Sequence, residues 1–176
     1  PATRRLAPLA MNLAIRHATP ADCEAIHRIF SGPKAIWGTL HVPFASPETQ
    51  RKWLTEPEPG RVLLLACDEA DVAGILGLHA HSDRPRRRHA AEFGMAVRDD
   101  LQGKGVGPAL LKAALDLADN WLNLSRIELS VFTDNEPGVR LYKKFGFEIE
   151  GTQRRFGFRA GQFVDAYLMA RLRPSA

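Results

Sequence analysis

The stretch Val97-Arg98-Asp99-Asp100-Leu101-Gln102-Gly103-Lys104-Gly105-Val106-Gly107 restricts this chain more than any other. It lies directly after a strand-like run and directly before a long helical one. Glycine lets a backbone approach a ligand closely and adopt positive φ. The first amides of a helix have no intrahelical partner and sit at the positive end of its dipole. A strand, a glycine turn and a helix in that order make an anion cup suited to a diphosphate.

Three phosphate-binding patterns compete for this loop. A P-loop requires G-x-x-x-x-G-K-[S/T], but Gly105 follows Lys104, so no hydroxyl is placed for magnesium. A dinucleotide fingerprint fails at Pro108 in one register and at Leu110 in the other. The third pattern, Q/R-x-x-G-x-G/A between strand and helix, matches at Gln102, Gly105 and Gly107. The plain alternative is a glycine turn that merely enters a helix.

Around the loop the chain reads as one continuous domain without repeats or linkers. Leu13 to His17 alternates as a first strand. Thr19-Pro20-Ala21-Asp22 starts a helix with a Thr cap and an early proline, and Gly32-Pro33 stops it. A loop with Trp37, Leu40, His41, Val42 and Phe44 follows, and Ser46-Pro47-Glu48 opens a helix to about Glu56. Arg61 to Asp68 and Val72 to His81 form a hairpin. Arg84 to Arg88 is a polar hairpin tip before the strand Ala90 to Val97. A helix spans Pro108 to Leu122 and a strand Arg126 to Phe132. Asn135 begins a helix that Gly146 ends as a left-handed cap. Ile149 to Phe158 and Phe163 to Arg171 make a last hairpin. The order βααβββαβαββ predicts an α+β fold around a mixed sheet, not a doubly wound one.

Composition narrows the class. A chain of 176 residues, 45% hydrophobic and 25% charged, fits one globular domain and argues against disordered or fibrous classes. The longest apolar run, Val62 to Cys67, is strand-sized, far short of the roughly 20 residues a membrane helix needs. Residues 1–10 carry two arginines but no apolar core. They read as a disordered tail before a single domain at 11–174, with Met11 an alternative start, and a cytoplasmic location is expected. Cys23 and Cys67 have neither disulfide-framework nor metal-ligand spacing, and Cys67 ends an apolar run as a buried thiol would. Net charge +4 permits an anionic ligand. No zinc-finger spacing or RNP-like strand is present, so neither a nucleic-acid, a membrane nor a metal partner is expected.

A second segment joins a strand to a short helix and a glycine cap: Asn135-Glu136-Pro137-Gly138-Val139-Arg140-Leu141-Tyr142-Lys143-Lys144-Phe145-Gly146-Phe147-Glu148. The two segments, in this order and spacing, resemble the GNAT superfamily of N-acetyltransferases over roughly Leu13 to Leu172. Within it the chain is similar to the bacterial L-amino-acid N-acetyltransferases. Thr39-Leu40-His41-Val42-Pro43, Arg84-Pro85-Arg86-Arg87, Asp119 to Leu122 with Arg126 to Leu129, Tyr142 to Thr152, and Val164 to Tyr167 carry that closer match. The resemblance implies a central, mostly antiparallel mixed sheet of about seven strands, splayed between the fourth and fifth and flanked by about four helices. It implies acetyl-CoA as co-substrate, a small-molecule amine acceptor, the α-amine of an amino acid, and a homodimer.

Roles follow residue by residue from that resemblance. Met95, Ala96 and Val97 would bond the pantetheine arm through their backbone, where a local amide polarises the thioester carbonyl. Gln102, Gly103, Lys104, Gly105, Val106 and Gly107 would hold the diphosphate, with Lys104 either a useful charge or an ordinary solvated lysine. Asn135 falls where the superfamily sets a side-chain amide on the cofactor, and it is also a good N-cap residue. Tyr142, two turns further on, would protonate the departing thiolate, or else is a core tyrosine. Glu92 is the candidate base, or else a solvent-facing or salt-bridged strand residue, and Ser130 marks the following strand that some relatives use. Leu40, Val42 and Arg86 are the substrate-binding candidates. Arg84 and Arg87 share the hairpin tip with Arg86, where arginines are commonly just solvated. His41 and His79 are core residues or substrate contacts. The competing functions are acetylation of an antibiotic, an amino-acid analogue, a polyamine or a protein N-terminus, and a non-catalytic acyl-CoA sensor.

Overall fold

A computed structural model describes residues 12–56, 58–69 and 71–173. The tail expected at 1–10 and the start at Met11 lie outside the described residues. The elements are β1 (Ala14–His17), α1 (Cys23–Phe30), α2 (Pro33–Gly38), α3 (Pro47–Thr55), β2 (Arg61–Cys67), β3 (Val72–Ala80), β4 (Ala90–Val97), α4 (Val106–Asn120), β5 (Arg126–Phe132), α5 (Glu136–Lys144), β6 (Glu148–Arg159) and β7 (Gln162–Leu172). Short 3-10 turns occupy Pro20–Asp22, Pro85–Arg87 and Asp99–Leu101.

The seven strands form one sheet in the order β1-β2-β3-β4-β5-β7-β6. Only the β4–β5 pair is parallel; the other neighbours run antiparallel. Apolar side chains alternate onto both faces. Leu110 of α4 joins Leu76, Leu78, Phe93, Ile127, Leu129, Phe147 and Met169 in the larger core cluster. Ile26 and Ile29 of α1 pack on Leu63, Leu65 and Ile75 in the second core. Gly74 decides how closely α4 docks. A Cβ there would sit 2.9 Å from Val106 Cγ1 and 3.1 Å from Leu110 Cδ1.

Two sequence expectations need correction. Gly32-Pro33 ends α1, but the chain then forms α2 rather than a loop, so five α-helices flank the sheet among the described residues. Pro33 sits at the first turn, where its missing N–H is not needed. The Asp99 carboxylate, far off in sequence, accepts from Lys34 N at 2.8 Å and Ala35 N at 3.1 Å. Helix α4 begins at Val106, not Pro108, because Gly105 takes φ +92° and caps it. No helix among the described residues is long and apolar enough to cross a membrane.

The feature that positions the site is the parting of β4 from β5. They pair only at Ala90, Ala91 and Glu92 with Arg126, Ile127 and Glu128. Beyond Glu92, β4 keeps β3 on one side through Val97, and β5 keeps β7 through Phe132. Each strand is anchored along its outer edge while the inner edges separate, which leaves backbone groups in the gap without a sheet partner.

Candidate active site

The glycine loop lies where the parted end of β4 turns into α4. Gly103 (φ +77°) and Gly105 (φ +92°) hold left-handed conformations that cost an L side chain roughly 1–2 kcal/mol, and the space a Cβ would occupy is open at both. Lys104 N bonds Leu101 O at 3.3 Å, and the first regular bond of α4 is Ala109 N to Gly105 O at 3.1 Å. The amides of Gly103, Gly105, Val106 and Gly107 have no partner among the described residues, and Pro108 has no N–H. A cup of free donors at a helix's positive end is therefore present. Lys104 and Gln102 are exposed at its rim, the Gln102 side chain donating to Val97 O at 3.4 Å.

The gap opens into a cavity of about 800 Å³ that cuts through the sheet. On the α5 side its wall carries Phe93, Met95, Asn135 and Tyr142; on the α3 side, Gln50, Trp53, Gly77, His79 and Glu92. Gly38, Leu40 and His41 close one flank, and Ser130, Gln153 and Phe156 another. Tyr142 is buried, its ring edge-on to Phe93 at 5.6 Å and to Phe147 at 6.0 Å. Burial pushes its phenol up to about 12, so the hydroxyl carries its proton at neutral pH. It has no hydrogen-bond partner among the described residues. Asn135 caps α5, its Oδ1 accepting from Gly138 N at 3.1 Å. Its Nδ2 lies 3.6 Å from where a Cβ on Gly38 would stand.

Glu92 is exposed to the cavity with no ion pair or hydrogen bond among the described residues. Gln50 is 3% exposed, its Oε1 within 3.3 Å of His27 Nδ1. His41 stacks on Phe30 at 3.9 Å, and burial lowers its pKa, which favours the neutral ring. Arg159 braces the flank: its guanidinium lies 3.8 Å from the Trp37 ring centroid, bonds Trp37 O and pairs with Asp134. Among the described residues, no arginine or lysine lines the cavity.

A model of the Acetyltransferase (GNAT) family matches residues 23–147. The chain is 44% identical over 161 residues to the L-amino acid N-acetyltransferase AaaT of Escherichia coli K12, covering 92% of this chain and 98% of that protein. The crystal structure of an acetyltransferase of the GNAT family from Streptococcus pneumoniae superposes with a TM-score of 0.78 at 30% identity, over 92% of this chain and 99% of that one. A GNAT superfamily phosphinothricin acetyltransferase from Sinorhizobium meliloti, solved in complex with acetyl-CoA, shares the fold with a TM-score of 0.79 at 24% identity, covering 92% and 89%. The chain belongs to the GNAT acetyltransferase family.

This GNAT acetyltransferase uses acetyl-CoA as acyl donor. Among its sequence-predicted residues, Tyr142, Glu92, Met95, Asn135 and Leu40 come together around the cavity. Gln102 to Gly107 form the cup beyond it, with Ala96 and Val97 leading in. Val42 and Arg86 are exposed and do not line the cavity, nor do Arg84 and Arg87. Arg87 instead pairs with Glu128. His41, His79 and Ser130, left open by sequence, are wall residues. Gln50 and Trp53 were missed, although their spacing of three puts them on one face of α3. Gln153 had no local signal, since a register irregularity in β6 sets its place. No cluster of three or more potential metal-ligating side chains occurs among the described residues.

Proposed function

We propose that this acetyltransferase acts on the α-amine of an L-amino acid, with Tyr142 as general acid and Glu92 as base. The observation that carries the proposal is the cavity itself, which has a protonated, buried phenol at one end and an unpaired carboxylate at the other. The activity of the 44%-identical Escherichia coli relative supports the acceptor class. The residues present fit acetyl-CoA: free amides between Gly103 and Gly107 suit a diphosphate, and the unpartnered edge of Met95 to Val97 suits an extended amide-bearing arm. Bound there, acetyl-CoA supplies the acyl group as a thioester.

The chain's own residues then manage two protons. A chain-terminal α-amine titrates near 8 and the ammonium of a free amino acid, beside its own carboxylate, higher still; only the neutral form has a lone pair to attack. Glu92 accepts the ammonium proton inside the cavity. Tyr142 holds its proton toward the departing sulfur. In water a phenol near 10 is a weaker acid than a thiol near 8.5, a mismatch worth roughly 2 kcal/mol, and burial pushes Tyr142 further up, to about 12. Burial raises the proton affinity of any thiolate beside the same wall, so the mismatch narrows where transfer occurs. Tyr142 therefore stabilises sulfur charge by hydrogen bonding as it forms and gives up the proton late. No cysteine nucleophile is needed, since amine attack is direct.

One observation favours a second reading. With Glu92 in the wall and no arginine or lysine among the described residues lining the cavity, a cationic acceptor without a carboxylate, such as a polyamine, meets better electrostatic conditions. Thiol release from acetyl-CoA distinguishes the two. Phenylalanine and methionine are assayed beside their decarboxylated amines and spermidine. Preference for the amino acids supports the main reading, and preference for the carboxylate-free amines overturns it. Release with neither class would leave an acyl-CoA sensor.

A further inference from the structure

His79 stands out among the wall residues because the sheet makes room for its ring. Gly77, two residues earlier on the same face of β3, lacks a Cβ that would lie 3.1 Å from His79 Nε2 and 3.4 Å from Trp53. The imidazole thus lies back over Gly77 and borders the cavity beside Trp53. On the neighbouring strand its Cα partner is Glu92, so both side chains project from one face of adjacent strands. The ring's other nitrogen, Nδ1, faces outward, 3.6 Å from Glu58 Oε1.

This arrangement resolves a difficulty in the chemistry above. Glu92 has no cation beside it, and a carboxylate is a weaker base than an imidazole, so a proton it takes from the ammonium moves on favourably to a nearby histidine. We infer that His79, oriented by Glu58, receives from Glu92 the proton taken from the acceptor ammonium. The negative charge of Glu58, 3.6 Å from Nδ1 and beyond hydrogen-bond range, favours a proton on that nitrogen, which leaves the Nε2 lone pair toward the cavity. One N–H bond of the ammonium breaks and its electron pair becomes the attacking lone pair. The proton passes to Glu92 and, since the two side chains make no ion pair, through solvent in the cavity to Nε2. The resulting imidazolium is balanced by Glu58 and gives its proton to water as product leaves. Glu58 is a positioning residue that acts through His79.

The charged groups facing His79 are few. Glu92 comes from β4, and Arg61, its Cα partner, from β2. Arg61 is itself bonded to Glu58 Oε2 at 3.0 Å and lies over Trp53. Glu58 also borders a shallow surface hollow with Glu48, Lys52 and Glu56, so the pair opens to solvent on its outer side.

The inference rests on the acetyl-transfer reading, and its test separates the two. Acceptor kcat/KM is measured by thiol release from pH 6.5 to 9.5 at saturating acetyl-CoA, for wild type, Glu58→Gln and His79→Gln. Glu58 is half-exposed and Gln is isosteric, so that variant keeps the fold; thermal shift with CoA checks both. Glu58→Gln is expected to lose about 10-fold at pH 6.5 and less than 2-fold at pH 9.5, where most of the amine is already neutral. His79→Gln should show the same pH-dependent deficit, larger at the acid end, with the acetyl-CoA KM unchanged. A deficit constant across pH, or no deficit, overturns the relay while wild-type turnover still stands. Wild type inactive toward every amine would instead defeat the acetyl-transfer reading.

Discussion

Replacing Asp99 with alanine tests whether the cofactor loop holds the acceptor side of the cavity in place. Asp99 lies between β4 and the glycine cup, yet its carboxylate spans to α2 and accepts from Lys34 N at 2.8 Å and Ala35 N at 3.1 Å. Lys34 Nζ returns a bond to Asp99 O at 3.3 Å. With six residues, α2 is too short to persist alone. It leads directly into Gly38, Leu40 and His41 of the cavity wall. In the alanine variant Lys34 N, near the surface, finds water. Ala35 is buried, and its orphaned amide costs about 1–3 kcal/mol. A total near 2 kcal/mol corresponds to a Tm lowered by roughly 4–8 °C for a chain of this size. Acceptor KM should rise several-fold while the acetyl-CoA KM stays within about 2-fold. Gly32→Ala should do the same, because its Cβ would lie 2.8 Å from Asp99 Oδ1. Differential scanning fluorimetry and two-substrate kinetics read both effects. A Tm change under 1 °C, or acetyl-CoA KM rising as much as acceptor KM, refutes the reasoning.

Three shorter predictions concern the site and the fold. Tyr142→Phe should lower kcat by about 10²-fold or more with little change in acetyl-CoA KM, and an unchanged kcat removes its role as acid. Gly105→Glu should abolish acetyl-CoA binding by calorimetry, because it strains a φ of +92° and sets a carboxylate in the anion cup; retained affinity sinks the loop assignment. Asp22 governs an acid limb of stability. Its carboxylate accepts from Arg16 at 2.9 and 2.6 Å and from the Thr19 amide at 2.7 Å, and the Arg16 bonds, foremost, hold it well below the usual carboxylate range. Stability from a depressed carboxylate is present above the unfolded value of 3.8 and is lost as pH falls below it. Asp22→Asn should flatten that limb in urea melts between pH 5 and 2, and an identical slope in the variant would contradict the assignment.

The strands were legible because their signals are local. Ala90 to Val97 and Arg126 to Phe132 were read with the bounds the structure has, since each is an apolar run ended by loop residues. The glycine cup was legible for the same reason, its donors and its positive φ lying in consecutive residues. Helix α2 was not, because its N-terminal partner, Asp99, lies 65 residues beyond Lys34. The acceptor wall was only half legible. Leu40 could be named from a loop, but Gln50, Trp53 and His79 reach the cavity through a helix face and a strand pleat that local pattern does not orient.

The arginine run shows how pairing, not proximity, decides a site. Glu92 and Glu128 are the last partners before β4 and β5 part, and their side chains share a face. Two carboxylates opposite one another repel, so this register holds only if charge is supplied nearby. Arg87 and Arg126 supply it, and both bond Glu128: Arg87 from the hairpin tip, Arg126 from its own strand at 2.9 Å. Those bonds outweigh the cost of burying Glu128 and keep its pKa low. Arg126 is further committed to Glu150 at 2.9 Å. The arginines near the fork are thus consumed by Glu128, and Glu92 is left without a cation. A base needs that condition, because a carboxylate locked to a guanidinium would have little tendency to take a proton. The same pairing that withdraws Arg87 from the acceptor pocket therefore leaves Glu92 available to it.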